Sequence, residues 1–304
     1  MSPADQIVVV VGPTAAGKSD LAVALAHRLG AAEVVNADSM QLYRGMDIGT
    51  AKVATNERGG VLHHLIDVLD VTDPGSVAEF QRLAREAVDD CFGRGATPIV
   101  VGGSALYVRA VIDPFEFPGT DAAVRARWTA ELEAHGAEAL HAVLAERDPD
   151  AATQILPSNG RRIVRALEVG ELTGEPFVAS MPGHDSIYPG LRMIGLDIPR
   201  DILDERLERR VDRMWEAGLV EEVKRLFGWG LADGPTASRA LGYQQVLAHL
   251  RGEISEDEAR AATVAGTRKF ARRQDRLFRK DPRIHWLAYD SPTLLDDALG
   301  LVTG

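Results

Sequence analysis

Hydrophobic and polar positions along the chain fall into two regimes. In the first third, short β-branched runs end in polar or glycine turns and alternate with amphipathic stretches. "QIVVVVG" reads as a buried strand ending at a glycine loop. Residues 17–29 then carry Leu21, Leu25 and Leu29 four apart, a helical spacing stopped by Gly30. "AEVVNADS" predicts a second strand with a polar end, and "TPIVVGG" a third that breaks at paired glycines. Between them "SVAEF" opens a helix, with Ser76 and Glu79 spaced as a capping box. Strand and helix alternating in this way predict a parallel sheet covered by helices.

The pattern changes over residues 114–190. Periodicity there is helical, Ala and Arg are frequent, and no buried strand is evident. Proline clusters bound the segment: "DPFEFPG" before it and "MPGHDSIYPG" after it. Strand character returns in "LRMIGLDIP", followed by one long helix, "RDILDERLERRVDRMWEAGLVEEVKRLF". A further helix carries "ATVAGTRKFARRQDRLFRK", and "IHWLAYD" predicts a last strand. The expectation is an α/β core, residues 1–113 with 191–304, interrupted by a helical insertion over 114–190.

Composition narrows the class. With 304 residues, 45% hydrophobic and 26% charged, the chain suits a soluble two-domain protein. "IVVVVG" is too short to span a bilayer and lacks basic flanks, so neither a membrane helix nor a signal peptide is expected. Cys91 is the only cysteine, so a disulfide framework and a thiolate zinc site are not expected, which fits a reducing cytoplasm. A net charge of −11 points to no polyanion partner overall, so any nucleic-acid contact must come from a local basic surface.

The strongest chemical signal is "GPTAAGKS". Gly12, Pro13, Thr14, Ala15, Ala16, Gly17, Lys18 and Ser19 match G-x-x-x-x-G-K-[ST] directly after a strand and opening a helix. Its glycines let backbone N–H groups converge on phosphate oxygens, the helix N-terminus adds positive potential, Lys18 adds a cation, and Ser19 offers a hydroxyl to Mg²⁺. The core is therefore expected to be P-loop NTPase-like. Triphosphate cleavage usually needs an acid at a neighbouring strand tip. "TPIVVGGS" ends without one, whereas "VVNADSMQLY" places Asp38 at its end. Asp38 could hold magnesium through water, act as a general base, or simply cap a turn.

Several stretches together resemble the tRNA dimethylallyltransferases: "GPTAAGKS", "ADSMQLYRGMDIGTAK", "HHLIDV", "VVGGSALYVRA", "DPDAATQILPSNGRRIVRALEV", "RVDRMWEAGLVEEV", "RALGYQQV" and "TRKFARRQ", in that order. The resemblance implies transfer of a five-carbon allylic group from dimethylallyl diphosphate to the exocyclic amine of the adenine after the anticodon. The phosphate loop would then hold a diphosphate that leaves whole, with Mg²⁺ as cofactor. It further implies that Asp38 accepts the amine proton, that Ser104 stands where the family usually has threonine, and that Arg210 contacts the diphosphate. Arg209 and Arg213 compete for that last role. The implied partner is the anticodon stem-loop of tRNA, met by Asp38, Ser39, Met40, Gln41, Ser104, Arg125, Arg161, Arg162, Ile163, Val164, Arg165, Arg239, Gly242 and Tyr243, with Arg127 an alternative to Arg125. One departure is "RLFR", where the family commonly carries a tryptophan. No membrane partner is implied, and a monomer is expected.

Two basic stretches are candidate RNA surfaces. Arg161 and Arg165 share a helix face beside Arg162. Arg268, Arg272, Arg276 and Arg279 repeat at helical spacing without matching acids, which predicts a phosphate-facing stripe. Phe270 and Phe278, in the same stretch, are expected in the core. His63 and His64 are adjacent and followed by Asp67; adjacent side chains point apart and no other metal-type ligands are expected to cluster with them, so they read as structural. Rival readings are an isopentenyltransferase acting on free AMP or ATP, a small-molecule kinase, and a non-enzymatic RNA-binding protein with a vestigial loop.

Overall fold

The computed structural model describes residues 6–177 and 183–304. The chain forms two compact units, Met1–Asp113 with Ser186–Gly304, and Pro114–Asp185. The first unit opens with β1 (Gln6–Val11), α1 (Lys18–Leu29), β2 (Ala32–Asn36), β3 (His63–His64), α2 (Val77–Gly93), β4 (Thr97–Gly102) and α3 (Ala105–Ile112). The second holds α4 (Ala122–Arg147), α5 (Pro149–Gln154) and α6 (Gly160–Thr173). The first then resumes with β5 (Gly190–Asp197), α7 (Arg200–Glu216), α8 (Leu219–Gly228), α9 (Tyr243–Leu250), α10 (Glu256–Phe278), β6 (Ile284–Ala288) and α11 (Leu294–Thr303).

The six strands are ordered β3-β2-β4-β1-β5-β6, and every pairing is parallel. β1 shows why its sequence is apolar throughout. Ile7, Val9 and Val11 point into a cluster with Phe80 and Ala84 of α2 and Val108 and Ile112 of α3. Val8 and Val10 point the other way, to Leu21 and Leu25 of α1, Leu207 of α7 and Val302 of α11. Successive side chains leave opposite faces of a strand, so a strand covered on both sides has no place for a polar residue. Each fully buried valine or isoleucine contributes about 1.5–3 kcal/mol.

The stretch expected as one long helix is two. Gly218 takes φ 94, a left-handed conformation, and separates α7 from α8. A side chain there would be strained, so this glycine is where the chain turns. The turn lets α8 and α9 form a third cluster, in which Leu219, Val223, Leu226 and Val246 surround Tyr43 and Met46 of the segment after β2.

The helical unit packs α4, itself broken at Gly136, against α6 around Trp128, Leu140, Leu144, Ile163 and Leu167. Among the described residues, no helix is long and apolar enough to cross a membrane.

Candidate active site

The phosphate loop joins β1 to α1 at the middle of the sheet. The connection out of β1 leads to β2 on the β4 side, and that out of β4 leads to β5 on the other side of β1, so the two leave in opposite directions and a crevice opens beyond these strand tips. A cavity of about 840 Å³ occupies that end of the unit, lined among others by Thr14, Lys18, Asp38, Ser39, Met40, Ser104, Arg210, Arg239, Phe270, Arg273 and Gln274.

Long-range contacts hold the loop in shape. Gly12 has φ 143, and a Cβ on it would stand 3.3 Å from the Leu196 carbonyl oxygen of β5. The Thr14 N–H donates to Gln274 Oε1 of α10 at 2.9 Å. The same amide explains the second glycine of the β4 tip, because a Cβ on Gly103 would lie 2.4 Å from Gln274 Nε2. Lys18 Nζ donates to the Pro13 carbonyl at 2.8 Å. Burial pushes its ammonium down to about 8, against the pull of Asp38 upward and with Arg210 adding to the depression. The Ser19 hydroxyl, at the start of α1, makes no hydrogen bond among the described residues.

Asp38 is placed by its neighbours. Asn36, at the β2 tip, accepts from the Asp38 N–H at 3.0 Å and donates to the Asp38 and Leu65 carbonyls. Asp38 Oδ1 accepts from the Met40 N–H at 2.9 Å, an Asx turn that leaves Oδ2 for the cavity. Ser104 is the N-cap of α3, yet its hydroxyl makes no capping bond. Of the four neighbouring arginines on α7, Arg210 alone lines the cavity. It donates to the Thr50 carbonyl at 3.2 Å. Burial lowers its guanidinium from the ordinary value, while Asp38 pulls it back. Arg209 pairs with Glu205, Arg213 is exposed and bonded to its own helix, and Arg206 stacks on Tyr289 and reaches the Ala15 carbonyl.

The segment after Asp38 depends on Glu222 of α8. This fully buried carboxylate accepts from the N–H groups of Asp47, Ile48 and Gly49 at 3.2, 2.9 and 3.3 Å, and from the Tyr243 hydroxyl at 2.6 Å. Gln41 adds a bond to the Thr50 carbonyl, and Lys52 ties Asp47 to Asp67. The clamp thus sets the carbonyl on which Arg210 rests.

Expectations for several residues are corrected. Tyr243 is a core residue that serves Glu222, and Ile163 and Val164 are buried in the helical unit, so their side chains are not available to RNA. Gly242, beside Tyr243, is buried and caps α9 with φ 88. The arginines of this stretch do have acids: Arg268 pairs with Glu208 and Arg272 with Asp204, both on α7, and Arg279 with Asp197 of β5 and with Asp275 of α10 itself. Lys269, Arg272, Arg273 and Arg276 line the cavity, and Phe270 lines it under Arg273 and not in the core as expected, while Phe278 is in the core.

In the helical unit, Arg125 and Arg165 both bind the buried Glu168. Burial drives that carboxyl up, but the two guanidinium groups bring it below its ordinary value overall. Arg127 pairs with Glu171. Arg161 is exposed, as is Arg162. Gln274 and Glu222 were not anticipated from sequence. Their one signal is a neutral glutamine inside a basic stretch and a glutamate in an apolar helix turn.

A P-loop-type sheet with a cavity lined by cations, a carboxylate and the Ser104 hydroxyl defines an enzyme of phosphorylated substrates. The particular relationship comes from comparison. A family model described as IPP transferase matches residues 41–281. A tRNA dimethylallyltransferase of Streptomyces coelicolor is 65% identical over 286 residues, covering 94% of this chain and 91% of the relative. One from Thermobifida fusca is 61% identical over 97% of this chain and 94% of its own. The tRNA isopentenylpyrophosphate transferase of Bacillus halodurans has a similar structure, with TM-score 0.74 and 40% identity, covering 99% of this chain and 96% of that one. A eukaryotic dimethylallyltransferase acting on tRNA gives TM-score 0.81 at 26% identity, over 96% of this chain and 76% of that one. The chain belongs to the IPP transferase family, the tRNA dimethylallyltransferases.

Proposed function

We propose that this enzyme transfers the dimethylallyl group of dimethylallyl diphosphate to the exocyclic amine of the adenine 3′ to the anticodon of tRNA, with release of diphosphate. One observation carries the detailed reading: Lys18, Arg210, Asp38 and Ser104 all face one cavity at the strand tips. The loop N–H groups and Lys18 bind the diphosphate, and Arg210 stabilises it as the bond from the allylic carbon to its oxygen breaks. The electron-deficient carbon takes the amine nitrogen, and the amine proton passes to Asp38 as the new C–N bond forms. Ser104 is placed to hold the adenine or the diphosphate by its hydroxyl.

The Ser19 hydroxyl at the start of α1 is a hard oxygen donor of the kind Mg²⁺ prefers. When bound there, magnesium would supply further charge compensation for the leaving group. On this reading Lys269, Arg273, Arg276 and Arg239 guide the RNA backbone, Ser39, Met40 and Gln41 border the incoming base, and Arg161 and Arg162 add contacts from the helical unit. One chain carries all these groups, which supports a monomer, and a tRNA substrate supports action in the cytoplasm.

The test is a mass measurement on the acceptor. With magnesium and dimethylallyl diphosphate, tRNA should gain one five-carbon unit and AMP none, with ATP unconsumed. Gain on AMP alone, or ATP consumption matching product, would overturn the proposal. Asp38→Ala should slow transfer by about 10²–10⁴ with little change in diphosphate affinity.

A further inference from the structure

Away from the cavity, three side chains able to ligate a metal meet at the β3 edge of the sheet. Glu33 comes from β2, His64 from β3 and Cys91 from α2, and their ligand atoms lie within 4.8 Å of one another. Glu33 Oε2 is 2.6 Å from His64 Nε2 and 3.4 Å from Cys91 Sγ. Sγ and Nε2 are 3.8 Å apart. In a tetrahedral zinc centre with bonds of about 2.0–2.3 Å, ligand atoms stand roughly 3.3–3.8 Å apart. Two of the three edges already have that length, so only the contact between Glu33 and His64 must open.

The surroundings suit a cation. Arg94 holds Glu33 through both oxygens, Nε to Oε1 at 3.1 Å and Nη2 to Oε2 at 2.7 Å. The Oε1 bond can persist when Oε2 turns to a metal, so Arg94 becomes an outer partner that orients the ligand. A carboxylate and a thiolate would balance a divalent charge. A cleft of about 540 Å³, lined by His27, Glu33 and Arg94 among others, reaches the Glu33 side of the cluster. None of the three ligands lines the catalytic cavity.

We propose that Glu33, His64 and Cys91 form a binding site for a zinc-class divalent cation, with water completing the tetrahedron. Imidazole and thiolate donors select such an ion over magnesium. On binding, the Cys91 S–H bond breaks, the proton leaves to solvent and the sulfur bonds the metal, with no change of oxidation state. Without metal, burial and the charge of Glu33 raise the thiol to about 12, so it stays neutral as a donor to Glu33. The ion would fasten β3, which pairs with the sheet only through Val34↔His63 and Val35↔His64, to β2 and α2. One thiolate suffices for this mixed set, which the single cysteine had argued against.

Cobalt titration of the chelator-treated full-length enzyme tests this. Because Cys91 is the only cysteine, a thiolate-to-cobalt charge-transfer band can arise from this site alone. The expected result is a band saturating at one equivalent, bleached by zinc, with a zinc-dependent rise in Tm. Cys91→Ser should abolish the band, and His64→Ala should weaken cobalt binding about tenfold or more, with folding checked by circular dichroism. No band in the wild type, or a zinc-dependent Tm shift unchanged in both variants, would overturn the proposal.

Discussion

Cations in two regions, the Glu168–Glu171 face of the helical unit and the catalytic cavity, are held in opposite ways. In the helical unit, Arg125, Arg127 and Arg165 rest on carboxylates, Glu168 and Glu171, and their charge is largely cancelled. At the cavity, Lys18 and Arg210 rest on neutral carbonyls, those of Pro13 and Thr50. A carbonyl orients a cation without neutralising it, so the charge is kept for an anionic ligand. A cation's worth to a polyanionic substrate therefore depends on what already holds it, which a count of arginines does not show.

The most direct way to break this comparison is to remove one cation from each class. Arg210→Ala should slow transfer by about 10²–10³, the loss typical of one donor to a developing anion. Arg125→Ala should leave the rate with saturating tRNA nearly unchanged. Equal losses in steady-state assays would mean the two environments do not differ in function.

The alkaline limb sharpens the point. Lys18, lowered to about 8, is charged below that pH and neutral above it. Since the cation is the form that binds diphosphate, kcat/KM for the donor should fall about tenfold per pH unit beyond roughly 8. Lys18→Arg should remove this limb, because a guanidinium stays charged.

On the carboxylate side, Glu168 is held below its ordinary value in the folded state. Its stabilisation is fully present above the unfolded pKa of about 4.3 and is lost as pH falls through the folded value. Glu168→Gln should cost about 1–3 kcal/mol near neutrality and flatten this acid loss. Hydrogen exchange of α4 and α6 amides against pH would measure both. An unaltered acid slope would remove Glu168 as the responsible group.

The smallest effect is expected in RNA binding. Arg161→Ala should reduce the salt slope of tRNA affinity by about 0.7–0.9, one phosphate contact. Arg165→Ala should leave the slope alone and destabilise the helical unit. A reduced slope in the second variant would show that Glu168 does not sequester Arg165.

Much of this was legible beforehand. "IVVVVG" announced a strand covered on both faces, and "GPTAAGKS" announced the strand–loop–helix that carries Lys18 and Ser19. Asp38 was recognisable as a carboxylate just past a strand. What could not be read was partnership. Arg268 and Arg272 have no acid at helical spacing on α10; theirs, Glu208 and Asp204, stand on α7 and are supplied by helix packing, whereas Arg279 also has Asp275 four residues before it. The long amphipathic stretch hid the break at Gly218, since its apolar period continues through α8. Tyr243 looked like a contact residue in "RALGYQ" and became the donor to Glu222 only when α9 met α8.

By itself, the sequence determined the local pieces: which runs form strands, where the phosphate loop lies, and where helices begin. Those conformations depend on contiguous residues whose steric and hydrogen-bonding preferences act within a few positions. The tertiary structure decided which charges are cancelled and which remain. That depends on groups far apart in the chain, such as Thr14 with Gln274 or Asp47 with Glu222, brought within hydrogen-bond reach only when the buried sheet faces close against their helices.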